Sequence, residues 1–83
     1  MRESHIEREV CRRIREHGGW TEKLIGRVKG LPDRICCLPG HGTFFIEFKS
    51  RRGSLSAAQE HVIDQIRAAG GKVLIVRKIE DIF

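Results

Sequence analysis

Two carboxylates and an ammonium, Asp33, Glu47 and Lys49, lie in two short segments, Gly30-Leu31-Pro32-Asp33 and Phe45-Ile46-Glu47-Phe48-Lys49-Ser50. Brought together, they would hold a divalent cation beside a polarised water and a charged donor. That set suits phosphodiester hydrolysis, in which the ammonium steadies charge on the pentavalent transition state. Carboxylate oxygens select a hard ion, Mg²⁺ or Mn²⁺, which takes one or two carboxylates and completes its shell with water. The backbone carbonyl of Phe48, between Glu47 and Lys49, is a further candidate oxygen ligand.

The elements around these residues follow from periodicity. Ile6, Val10 and Ile14 recur every four residues and predict a helix over Ser4 to His17, stopped by Gly18-Gly19. Trp20 to Ile25 has strand character, and Gly26 to Pro32 is a loop punctuated by glycine and proline. Arg34–Leu38 and Thr43–Lys49 read as two strands around the turn Pro39-Gly40-His41-Gly42. Ser56 caps a second helix running to about Ala69, with Val62, Ile63, Ile66 and Ala69 as its buried side. Lys72 to Val76 is a buried-type strand, and the tail to Phe83 starts another helical turn that docks through Ile79, Ile82 and Phe83. The order is α-β-β-β-α-β. A helical crossover before the last strand implies parallel pairing, hence a small mixed sheet flanked by helices in one α/β domain over residues 1–83.

Strand alternation puts Glu47 and Lys49 on one face and Phe44, Ile46 and Phe48 on the other. A hairpin centred on Gly40 sets Asp33 opposite Glu47, about 5 Å away across the strands. One centred between Gly40 and His41 sets Asp33 opposite Phe48, on the wrong face. Both registers are open to the sequence, and only the first makes a cation site. Each residue also has a bland reading: Pro-Asp often marks a turn, and a Glu-Lys pair is common at exposed strand ends.

Gly30-x-Pro32-Asp33, Glu47-x-Lys49, Gln59 on the next helix, and the intervening Pro39-Gly40, Leu55-Ser56 and Gly70 together resemble the VRR-NUC domain, a branch of the PD-(D/E)XK nucleases. The resemblance spans nearly the whole chain, from Ile6-Glu7 to the strand after Gly70-Gly71. It implies a restriction-endonuclease-like fold and a metal-dependent nuclease, with Asp33 and Glu47 as cation ligands and Lys49 as the catalytic lysine. It also matches Glu7 to a first-helix glutamate that approaches the metal directly or through water. Gln59 has two readings: a site residue, or half of a capping box with Ser56. The resemblance further suggests branched DNA, such as four-way junctions, as a substrate.

Sixteen Lys and Arg against 11 Asp and Glu leave a net charge of +5, which favours polyanions. Lys23, Arg12, Arg13 and Arg51 are candidate phosphate contacts; for the first-helix arginines a solvated helix face is an equal alternative. A chain of 83 residues builds a modest core and little surface for grasping a duplex, so a homodimer is expected. Apolar runs fall far short of the roughly 18 residues that span a bilayer. The N-terminus lacks a signal-peptide core, and three cysteines do not form a disulfide framework, so a cytoplasmic protein is expected. Cys36-Cys37 and His41 lack zinc spacing, and Cys37 reads as a buried thiol. The competing functions are a DNA-binding module with a degenerate site and a basic interaction domain of a replication or packaging assembly.

Overall fold

The structure, a computed structural model, describes residues 2–83. The Ile6/Val10/Ile14 stripe forms α1 (Glu3–Glu16), which is followed by β1 (Trp20–Lys23), β2 (Arg34–Leu38) and β3 (Gly42–Phe48). Then come α2 (Ala57–Ala68), β4 (Val73–Val76) and a 3₁₀ turn at Ile79–Asp81. The sheet order is β1-β2-β3-β4, with antiparallel pairs up to β3 and a parallel β3–β4 pair joined by the α2 crossover. This is the mixed α/β architecture expected from the pattern.

The Pro-Gly turn settles the hairpin register. His41 N–H bonds to Leu38 O at 2.9 Å, with Pro39 second and Gly40 third at φ +84°, the positions a type II turn assigns to them. Leu38 then faces Gly42 and Arg34 faces Ile46. One step further along, Asp33 stands across from Glu47.

Alternation divides the sheet between the two helices. Ile6, Val10 and Ile14 of α1 pack on Cys36, Leu38, Phe44, Ile46, Phe48 and Val76, with Leu74, Ile82 and Phe83 closing the layer. The tail therefore docks as its apolar residues imply. On the other face, α2 buries Val62 and Ile63 and reaches Glu47 through Gln59. Paired backbone bonds close both helices: Gly19 N–H to Ile14 O and Gly71 N–H to Ile66 O, each 2.8 Å.

Three expectations need correction. β1 ends at Lys23, because the chain turns after Leu24 and leaves Ile25 92% exposed. Ala69 is the exposed C-cap of α2, so the buried stripe stops with the half-buried Ile66. Cys37 is half-buried and contacts Thr43 Oγ1 at 3.4 Å; Cys11 and Cys36 are the buried thiols. Burial pushes both of those thiols up in pKa.

Candidate active site

Glu47 sits mid-sheet at 2% exposure, a costly place for a carboxylate unless its oxygens are matched. Its Oε2 receives Gln59 Nε2 at 3.0 Å and lies 3.3 Å from Lys49 Nζ. Its Oε1 is buried and has no partner among the described residues. Burial pushes the Glu47 carboxyl up in pKa and the charge of Asp33 adds to the push, while the Lys49 ammonium pulls it down.

Asp33 ends the loop before β2, and its Oδ2 accepts the Phe48 N–H at 2.7 Å. Burial raises its pKa; the Phe48 bond opposes this, and the charges of Glu7 and Glu3 reinforce it. The neighbouring proline has a direct chemical consequence. Phe45 and Lys49 donate their N–H groups to Lys72 and Val76, so by alternation the main chain of Phe48 turns towards β2. The last paired residues are Arg34 and Ile46, and two residues beyond Arg34 stands Pro32, which has no N–H to offer a strand partner. Two carboxylates thus meet at one strand end, Asp33 and Glu47 with an unmatched oxygen, beside the main chain of Phe48. This excess of negative charge fits a hard divalent cation. Among the described residues no three His, Cys, Asp or Glu side chains converge into a metal cage.

The other candidates fall in different places. Glu7 is engaged on the α1 side, its Oε2 3.0 Å from Arg34 Nη1 and 3.8 Å from Lys23 Nζ. Its charge acts on Asp33, raising the pKa of that carboxyl. Lys23 is correspondingly held by Glu7. Arg12 is ion-paired with Glu9 and Glu16, and Arg13 with Glu9, which the two arginines hold down at a pKa of about 2. These pairs favour the solvated-face reading of that helix surface. Arg51 rims a cleft of about 490 Å³ together with Ile6, Arg77 and Lys78, which includes none of the carboxylate site. The carboxylate site lies instead at the end of the interior strand β3.

Gln59 forms the capping box and also reaches Glu47. Its Oε1 accepts the Ser56 N–H at 2.9 Å while its N–H bonds to Ser56 Oγ at 3.1 Å, and its Nε2 is left to orient Glu47. Gln59→Glu keeps the capping acceptor but sets a second carboxylate against Glu47. Urea denaturation of the metal-free variant should show a loss of about 1–2 kcal/mol. Unchanged stability would leave capping as the only role.

Two structural residues escaped the sequence reading. Arg34, whose Nε also bonds to Thr21 Oγ1 at 2.9 Å, anchors Glu7 and ties α1 to the sheet. A cation in an apolar strand signals that a partner is needed, but not which one. Arg77 donates Nη1 to Ser50 O at 2.9 Å and to Gly53 O, pinning the turn that follows Lys49. No local pattern announces that bond.

The fold is of nuclease type. The family model for the VRR-NUC domain matches residues 2–78, and the chain belongs to that family. It is similar to a solved structure described as a VRR-NUC domain, with a TM-score of 0.84 and 26% identity over 94% of this chain and 86% of that one. No curated protein matches the chain. Among the described residues no helix is long and apolar enough to cross a membrane.

Proposed function

We propose that this protein is a Mg²⁺- or Mn²⁺-dependent DNA endonuclease. The observation carrying this reading is the buried Glu47, paired through one oxygen with Lys49 and Gln59, its other oxygen unmatched, across from Asp33. Asp33, Glu47 and the Phe48 carbonyl would hold the ion, which when bound supplies a Lewis acid for the phosphate and acidifies a water. Gln59 fixes the Glu47 carboxylate by binding Oε2. Lys49 offers N–H donors to the phosphate oxygens and stabilises the charge that grows on them. The net charge of +5 attracts the polyanion.

Branched DNA is the substrate we assign by family likeness. Two copies would place two such sites on one DNA, as cutting both strands requires. Sedimentation of the free protein tests that stoichiometry, and a monomer bound to a cut junction would contradict it.

Lys49→Ala separates turnover from ion binding. Cleavage should fall about 10²–10³-fold, while calorimetric Mn²⁺ titration still shows binding through Asp33 and Glu47. Loss of the Mn²⁺ signal in this variant would contradict the role given to Lys49.

A further inference from the structure

The segment between β1 and β2 combines features that neither the core nor the carboxylate site requires. It reads Leu24-Ile25-Gly26-Arg27-Val28-Lys29-Gly30, and it exposes Ile25 at 92% and Val28 at 58% beside the exposed cations Arg27 and Lys29. Loops usually leave such branched aliphatics inside, because exposing them forgoes burial. The segment is also held in shape. Leu24 N–H bonds to Asp33 O at 2.9 Å, a side chain on Gly26 would meet Leu31, and Gly30 presses on the backbone of Ala58 and Gln59. Its two ends therefore abut Asp33 and the first turn of α2, which fixes the base of the loop next to the residues that carry the carboxylate site.

Cations interleaved with exposed aliphatics match a nucleic-acid strand in two ways. Arginine and lysine meet phosphates, and an aliphatic side chain covers the face of a base that has lost its stacking neighbour. We propose that Ile25–Lys29 is a substrate-gripping loop: Arg27 and Lys29 bind phosphates next to the site, and Ile25 and Val28 pack against an unstacked base there. The proposal rests on the nuclease reading for its substrate and adds the contact that would favour distorted or branched DNA over plain duplex. The positive charge beside the aliphatics sets a nucleic acid above a second copy of this chain as occupant.

The test uses the full chain carrying Glu47→Gln with Ca²⁺, binding fluorescent duplex and four-way junction, with 2-aminopurine at successive positions around the branch. Arg27→Ser/Lys29→Ser should weaken binding to both DNAs about tenfold near 0.1 M salt and lower the salt slope by roughly two. Ile25→Ser/Val28→Ser should leave the salt slope unchanged, lose about tenfold on the junction only, and abolish the 2-aminopurine increase. Thermal melts should match the parent, since all four side chains are exposed. Parental binding and fluorescence in both variants would overturn the proposal, as would an Ile25→Ser/Val28→Ser protein whose single change is dissociation of a dimer in sedimentation. If the otherwise native protein cuts DNA but the loop variants bind normally, the loop assignment alone falls. If binding depends on the loop yet the native protein never cuts, the loop stands and the nuclease reading falls. No DNA binding by the parent removes both.

Discussion

Asp33→Asn should lower metal-dependent cleavage by about 10³-fold or more and at the same time raise the stability of the metal-free protein by about 1 kcal/mol. The two effects have one origin. Asp33 is held with its pKa raised by burial and by the charges of Glu7 and Glu3, and it raises that of Glu47 in turn. Asparagine keeps an oxygen for the Phe48 N–H, so the fold loses no hydrogen bond while a like charge disappears. The ion loses a ligand at the same stroke. DNA affinity in the absence of cleavage should change little, because the phosphate-binding cations remain.

The same repulsion fixes the sign of a pH dependence. A carboxyl whose folded pKa lies above its unfolded value takes up protons on folding. Its contribution to stability is greatest below the unfolded pKa and declines as pH rises through the folded one. In EDTA the native chain should therefore melt at a higher temperature at about pH 5 than at about pH 7.5. Glu9, held down at about 2, acts in the opposite direction only as pH falls below its ordinary value of 4.5, outside that window. In Asp33→Asn the slope should shrink. Equal slopes in the two proteins would mean that Asp33 is not part of the strained pair.

The second large effect is structural. Gly30 has φ +93°, and a Cβ there would stand 2.4 Å from Ala58 O and 2.5 Å from Ala58 C. Neither atom can yield, because both belong to the backbone of the first turn of α2. Gly30→Ala should cost roughly 3–5 kcal/mol, combining left-handed strain with a backbone clash. Gly40 is the matched control: it has φ +84° with nothing within 4 Å of the added carbon, so Gly40→Ala should cost about 1 kcal/mol. Chemical denaturation of both variants measures the difference. Similar costs would mean that the contact between the loop and α2 is not as close as the structure has it.

The match between residues and structure is best where the physics is local. Phe-Phe-Ile-Glu-Phe alternation identified β3 and its two faces, and the Ile6/Val10/Ile14 spacing identified the buried side of α1. The pairing of Asp33 with Glu47 hung on a one-residue choice that the Pro39-Gly40 turn makes, and composition alone leaves it undecided. Ser56 and Gln59 announced a capping box, while the bond from the same side chain to Glu47 depends on how α2 lies over the sheet. Glu7 was legible as a helix residue beside the apolar stripe, but its partner Arg34 lies 27 residues away and belongs to tertiary packing. The early end of β1 had the same cause. Leu24-Ile25 looks like strand in isolation, yet the chain leaves the sheet there to seat Gly30 on α2.

The central claim is that Asp33, Glu47 and Lys49 form a metal-dependent hydrolytic site. Its most direct test is a cleavage time course on supercoiled plasmid and a four-way junction, with Mg²⁺, Mn²⁺ or EDTA, and Asp33→Asn run alongside. The account predicts strand cutting that requires the metal, stops with EDTA and disappears in the variant. Cutting that persists undiminished in Asp33→Asn, or no cutting by folded, Mn²⁺-loaded native protein, would contradict it.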